Sequence, residues 1–191
     1  MHVPLKVVAA VAVVGMCAAS ANAADGTQGD LAGGYSYMYD HDLHTSFVAG
    51  WFASAGVNVA RMLAVVGDVT GNYKSQSATA GVASANSTST VYTFLGGPRI
   101  VSRSGAARLF LQFLAGGATT SAGITSSSGS ASVSAGDTRT DFCYVPGVGL
   151  DIGFNTKIAM RIEGNERFIR ATGNTSKQFY LEAGLVYRFD K

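Results

Sequence analysis

The sequence predicts an all-β fold: an eight-stranded antiparallel up-and-down β-barrel whose strands cross a membrane. Three observations carry this expectation. Apolar and polar residues alternate with a two-residue period through most of the chain beyond its first two dozen residues, the spacing at which strand side chains switch faces. The connections between these segments are short and long by turns, the order of a barrel with short turns on one side of a membrane and longer loops on the other. Charged residues make up 14% of the 191, and hydrophobic ones 47%, against roughly 25% charged in an ordinary soluble domain. That is too little charge to coat a soluble globule.

Composition also removes several classes. A net charge of +2, spread evenly, argues against nucleic acid. Two cysteines, Cys17 and Cys143, rule out a disulfide framework or a cysteine zinc site. Apolar and aromatic residues are too plentiful for disorder. Beyond the N-terminus, no apolar run reaches the about eighteen residues of a membrane-crossing helix.

The first 23 residues read as a secretory signal. Lys6 supplies the positive region, Val7 to Met16 the short apolar core, and Ala21-Asn22-Ala23 the cleavage site. The apolar core is too short for an anchoring helix. The barrel is therefore expected to span residues 24–191, with Cys143 as its only thiol.

Eight strands follow in order. The first, near Gly34 to Tyr39, places Tyr35, Tyr37 and Tyr39 on one face. In the second, Phe47, Ala49, Trp51, Ala53, Ala55 and Val57 oppose Val48, Gly50, Phe52, Ser54 and Asn58. The third sets Leu63, Val65, Val69 and Tyr73 against Val66, Asp68, Thr70 and Asn72; the fourth sets Tyr92, Phe94 and Ile100 against Val91, Thr93, Leu95 and Arg99. Leu109, Leu111, Phe113 and Ala115 oppose Arg108, Phe110, Gln112 and Leu114 in the fifth. In the sixth, Phe142, Tyr144, Val148, Leu150 and Ile152 oppose Asp141, Cys143, Gly147, Gly149 and Asp151. The seventh opposes Ile158, Met160, Ile162 and Phe168 to Arg161, Glu163, Asn165 and Arg167. The last is the clearest, with Phe179, Leu181, Ala183, Leu185, Tyr187 and Phe189 against Gln178, Tyr180, Glu182, Gly184, Val186 and Arg188. Pro98 and Pro146 fall inside strands beside glycines, where bulges are expected because proline lacks a ladder donor.

Short turns are expected at Val59–Met62, Ser102–Ala106 and Gly153–Thr156. Longer outer loops are expected at His41–Thr45, Lys74–Thr88, Thr119–Thr140 and Ile169–Ser176, the Ser/Thr/Gly-rich pair being mobile cover or contact surface. The polar face mixes charges with glycines and aromatics, which fills a narrow lumen better than it solvates a surface. The apolar face carries Trp51, Tyr73, Tyr92, Phe142, Tyr187 and Phe189 near segment ends, where aromatic rings meet the headgroups. The apolar face is therefore expected to meet lipid. The alternative is a soluble, secreted, lipocalin-like barrel with that face turned inward around an apolar ligand.

The signal, Gly34-Tyr35-Ser36-Tyr37, Phe94-Leu95-Gly96-Gly97-Pro98-Arg99, Gly147-Val148-Gly149-Leu150-Asp151 and the terminal Leu185-Val186-Tyr187-Arg188-Phe189 together carry a resemblance. The chain resembles the small eight-stranded outer-membrane β-barrels of Gram-negative bacteria, the porin-family, OmpA transmembrane-domain and OmpX-like proteins. The resemblance implies a bacterial outer-membrane location, outer-membrane lipid as surroundings, and a terminal signal at Tyr187 and Phe189 read by the barrel-insertion machinery. Here Asp190 and Lys191 follow the aromatic, where the family usually stops. No peptidoglycan-binding domain is expected after the barrel.

The polar face is expected to hold a lumen charge network of Asp68, Arg99, Arg108, Asp151, Arg161, Glu163, Glu182 and Arg188, with Asp68 and Arg99 on adjacent strands. Unpaired charges there would be costly. An eight-stranded barrel is just wide enough for side chains to fill, so a side-chain plug is expected, with a narrow porin-like channel for small solutes or ions as the alternative. The expected role is structural, or contact with an extracellular ligand or surface through the outer loops. Asp40-His41-Asp42-Leu43-His44 offers metal-type ligands, but a loop without supporting partners reads as a solvated turn. Neither histidine lies on a strand beside a serine, so no enzyme is expected. No cofactor or metal is expected either, and the sequons at Asn86 and Asn174 read as chance.

Overall fold

The computed structural model describes residues 27–42, 44–80, 83–104, 107–128, 131–171 and 174–190. The expected signal at 1–23 lies outside the described residues. Nine strands are present: β1 (Thr27–Asp40), β2 (Thr45–Phe47), β3 (Ala49–Ala60), β4 (Leu63–Ala80), β5 (Ala83–Ser104), β6 (Ala107–Ser128), β7 (Ala131–Gly153), β8 (Ile158–Ala171) and β9 (Asn174–Asp190). β1 pairs antiparallel with β2, β3 and β9, and β3 to β9 pair antiparallel in sequence order, so the sheet closes into a ring. Since β2 and β3 both pair with the same side of β1, they are two halves of one stave. The ring therefore has eight staves, in up-and-down order.

The break in the second stave corrects one part of the sequence reading. Phe47 was expected outward and Val48 inward, but Phe47 is buried and Val48 is 66% exposed. The cause is one extra residue. Between the Met38–Phe47 and Tyr35–Trp51 pairs, β1 advances three residues and its partner four, which is a β-bulge that reverses side-chain facing. The Tyr35 hydroxyl donates to the Val48 carbonyl at this point. From Trp51 onward the alternation matches the expectation, with Phe52, Ser54 and Asn58 buried.

No bulge forms at either proline. The β4–β5 and β6–β7 ladders run through Pro98 and Pro146 without a register change. On the other side, pairing lapses at Gly97–Pro98 against β6 and at Val145–Pro146 against β8, then resumes in the same register. Each proline thus removes a ladder bond on one side only, and its neighbours hold the register. β1 also begins at Thr27, well before the expected Gly34.

The apolar face points outward. Leu31, Trp51, Val65, Ile100, Leu111, Phe113, Val148, Ile162, Leu181, Leu185 and Phe189 are all exposed, whereas the buried set is rich in Asp, Glu, Arg, Asn and Thr. A soluble barrel would show the reverse, so the lipocalin-like alternative fails. At a rise of ~3.3 Å per residue and a tilt near 40°, the stretch of β9 between Phe179 and Phe189 climbs roughly 25 Å, the height of a hydrocarbon layer. Aromatics mark both edges. At the outer edge Trp51 Nε1 donates to the Tyr73 hydroxyl at 3.1 Å, and the Tyr73 and Tyr92 hydroxyls are 2.8 Å apart. At the other edge Tyr187 and Phe189 meet edge to face at 5.1 Å.

The two longest expected loops are strands. Lys74–Ala80 pairs with Ala83–Ser89, and Thr119–Ser128 pairs with Ala131–Thr140. Four strands therefore continue beyond the outer aromatic edge as one sheet. Threonine is a good strand former, and hydroxyls bond across the ladder, Thr119 to Thr140 at 3.0 Å and Ser121 to Thr138 at 3.1 Å. Pairing of β7 with β8 begins only at Phe142–Arg170, so β7 has an open edge along Ala131–Asp141.

Candidate functional site

Inward-facing positions of all staves meet in the lumen, and their charged side chains bridge it at two levels. At the lower level Arg161, 1% exposed, donates to Asp151 through Nε at 2.8 Å and Nη2 at 3.0 Å. Its other contacts cross the barrel to Ser54 on β3 and Asp30 on β1, each at 3.3 Å. Arg99 donates twice to Gln112 Oε1, at 3.0 and 2.8 Å, and pairs with Asp30 at 3.5 Å and Glu163 at 4.0 Å. Both guanidiniums lie over the Phe110 ring, Arg99 4.4 Å and Arg161 4.8 Å from its centroid. Two cations thus share the π system of one ring, which supplements the carboxylates in stabilising their charge.

Glu163 and Glu182 are directly opposite on β8 and β9, a like-charge pairing that is unfavourable by itself. Asn165 relieves it: its amide donates to Glu163 at 2.7 Å and to Glu182 at 3.2 Å. Gln112 adds a bond to Glu163 at 3.0 Å. Two neutral amides thus hold the carboxylates apart from water.

At the upper level Arg167, fully buried, reaches from β8 to Thr70 on β4 at 3.0 Å and Thr93 on β5 at 3.2 Å. It also donates to Gln178 at 3.1 Å and lies 4.7 Å from the Tyr180 ring centroid. Gln178 in turn donates to Asp40 at 2.8 Å. These contacts span the barrel's full width, since β4 and β5 lie across the ring from β8.

Of the residues singled out in the sequence, Arg99, Asp151, Arg161, Glu163, Glu182 and Arg188 come together in the lower network, Arg188 lying 3.7 Å from Asp151. Arg108 stands opposite Asp151 in the β6–β7 register. Asp68 is buried but does not pair with Arg99. It lies opposite Leu95, while Arg99 lies opposite Ala64, and Asp68 Oδ1 has no hydrogen-bond partner among the described residues. Asp30, Gln112, Asn165 and Gln178 were missed as site residues. Extending the first strand's alternation back from Ser36 would have placed Asp30 on the inner face.

The outer connection is engaged elsewhere. Asp40 accepts from the Asp42 backbone at 3.0 Å, and Asp42 accepts from the Lys177 backbone at 3.2 Å. The Asp42 carboxyl is held below its usual range, first by the Ser176 hydroxyl and then by the Lys177 backbone. The His41 ring packs edge-on against Tyr39 at 5.1 Å. This cluster ties the β1–β2 connection to β9.

Cys143 is buried on the inner face. In the folded barrel its thiol is expected to resist maleimide, and to label fully once the protein is boiled in SDS. Rapid labelling of the folded form would mean that the lumen admits small molecules to this depth.

A closed antiparallel ring with an apolar exterior, aromatic edges and a charged interior is a transmembrane β-barrel. The chain matches the outer membrane protein beta-barrel domain family over residues 8–189. It belongs to that family, and its place is the bacterial outer membrane. Among solved structures it is similar to Ail, the attachment invasion locus protein of Yersinia pestis, at 15% identity and a TM-score of 0.57, covering 86% of this chain and 100% of that one. Ail in complex with the heparin analogue sucrose octasulfate gives 13% identity and a TM-score of 0.58, with the same coverage. Neisserial surface protein A aligns at 12% identity and a TM-score of 0.49, covering 86% of this chain and 98% of that one. No curated protein matches the chain.

Proposed function

We propose that this protein is a non-conducting, non-catalytic barrel that presents its outer four-stranded extension to a partner at the cell surface. The observation that carries the reading is that extension. Residues 132–140 of β7 are exposed on both faces, and the strand has an open edge to which another chain can add. Its outward face is an array of hydroxyls with an open depression of about 430 Å³ lined by Thr88, Thr90, Ser121, Gly123, Gly136 and Thr138. On the other face of the extension Arg139 is paired with Asp141 at 2.8 Å and Lys74 is bonded to Thr45. A polysulfate such as the one bound to Ail would find no cationic excess on it. Hydroxyl and backbone hydrogen bonding suit an uncharged or protein partner better.

In this reading residues 1–23 are a removed signal, and Tyr187 and Phe189 serve the insertion machinery. The test is to join Thr119 to Thr140 by an Asn-Gly turn in place of residues 120–139, removing the β6–β7 part of the extension. The barrel should keep its heat-dependent mobility shift on SDS gels, while adherence of expressing bacteria to an epithelial monolayer should fall at least tenfold. Unchanged adherence would overturn the reading.

A narrow channel is the second reading, favoured by the lumen acceptors Asp68 Oδ1, Asn72 Oδ1 and Glu182 Oε1, which have no hydrogen-bond partner among the described residues. Planar-bilayer recording decides between them. The plug reading expects no unitary conductance, whereas steps that change on Glu163→Gln substitution would establish the channel.

A further inference from the structure

The outward face of β7–β9 at the outer aromatic edge differs from the rest of the lipid-facing belt. Phe113, Tyr144 and Phe168 stack in a row across β6, β7 and β8. Their centroids are 6.1 and 5.0 Å apart and their interplanar angles 25° and 10°. Lys177, opposite Phe168 in the β8–β9 register, extends the row, its Nζ lying 5.9 Å from the Phe168 centroid. One step further from the bilayer centre, Arg170 stands opposite Phe142. Arg170 and Lys177 are both exposed. Being diagonal neighbours on adjacent strands, their Cα atoms are about 7–8 Å apart, so a guanidinium and an ammonium can converge on one anion.

Other cations near this height are directed elsewhere. Lys74 turns inward, to Thr45 and over the Phe47 ring, and Arg139 pairs with Asp141 at 2.8 Å. The carboxylate on this face, Glu166, lies opposite Phe179, one row nearer the bilayer centre than Phe168. The sector thus presents two cations directly above a flat aromatic strip that continues the lipid-facing belt.

We propose that this sector is a binding site for a phosphorylated glycolipid of the outer leaflet. Arg170 and Lys177 hold its phosphate, and the acyl chains run down the Phe113–Tyr144–Phe168 row. Height selects the ligand. A phosphate at the headgroup level of a lipid stands at the top of an aromatic belt, whereas a free phosphate gains nothing from the row beneath. Cation–phosphate contacts are charge-assisted and strong where water is partly excluded.

The test uses the purified full barrel in detergent micelles, titrated with bisphosphorylated lipid A, with its dephosphorylated counterpart and with inorganic phosphate. The bisphosphorylated lipid should bind saturably and the dephosphorylated one at least tenfold more weakly. Millimolar inorganic phosphate should not displace it. The Arg170→Gln, Lys177→Gln double variant should lose at least tenfold in affinity while keeping its heat-dependent gel shift. Glu166→Gln, which removes the nearby negative charge, should tighten binding, and Lys157→Gln, in the turn at the other end of the barrel, should leave it unchanged. Equal binding of both lipids, undiminished binding by the double variant, or an equal loss from Lys157→Gln would each overturn the site. Displacement by inorganic phosphate would make it a phosphate site and equally refute a lipid.

Discussion

Arg161→Met is expected to lower the unfolding free energy of the barrel by about 3–5 kcal/mol, the cost typical of removing one partner of a buried charge pair. Methionine fills similar volume, so the loss would come from charge and hydrogen bonding rather than from a cavity. Asp151 loses two close bonds, at 2.8 and 3.0 Å, and keeps the longer Arg188 contact at 3.7 Å. Asp30 keeps Arg99 at 3.5 Å, and Ser54 loses its bond across the lumen. Arg139→Met is the matched control, because Arg139 is 51% exposed and its ion pair with Asp141 lies outside the bilayer. An exposed pair contributes at most about 1 kcal/mol. Urea titration in micelles, read by the heat-sensitive gel band, compares the two. Adding Asp151→Asn to Arg161→Met should recover part of the loss, since it removes the stranded carboxylate. If Arg161→Met costs no more than Arg139→Met, the lumen network is not what holds the barrel together.

The contrast between Arg161 and Asp68 shows how far the sequence could be read. Alternation placed both on the inner face, and both are buried there. What alternation cannot give is the partner across the lumen. Strand tilt and stagger set which residues of distant staves share a level, so Arg167 meets Thr70 and Thr93 from the far wall with no trace of that pairing in local spacing. Within neighbouring staves the same stagger moved Arg99 four residues out of step with Asp68. Phe47 failed for a different reason: one inserted residue reverses facing, and Ser46-Phe47-Val48 carries no glycine or proline to mark it. The extension was hidden by composition, because Ser and Gly read as loop until a partner strand of the same kind lies beside them. Outward residues such as Leu181 and Leu185 were legible because lipid demands an unbroken apolar period and tolerates few exceptions.

Gly34→Val is expected to abolish most of the folded barrel, because it strikes the seam where the ring closes. Gly34 lies directly opposite Gly184 in the β1–β9 ladder. A Cβ on Gly34 would collide with the Ala183 carbonyl oxygen and the Gly184 Cα, and one on Gly184 with the Gly33 carbonyl oxygen and the Gly34 Cα. Both obstacles are backbone, so no rotamer relieves them and the two strands must separate. Ordinary overpacking costs about 1–3 kcal/mol when side chains can adjust; here the whole seam has to move, and the loss should exceed that range. β1 and β9 come from opposite ends of the described chain, so their pairing also carries the largest loop-closure cost of any ladder in the molecule. A weakened seam leaves two open edges facing lipid, where unpaired backbone groups cost several kcal/mol each. Gly123→Ala is the control, since a Cβ there meets nothing within 4 Å. On unboiled SDS gels of the refolded proteins, Gly123→Ala should keep the folded band and Gly34→Val should lose most of it. Gly184→Val should behave like Gly34→Val, and the double variant should lose less than the sum, because either substitution alone already opens the same contact. A folded fraction for Gly34→Val equal to that of Gly123→Ala would mean that the seam can widen without cost.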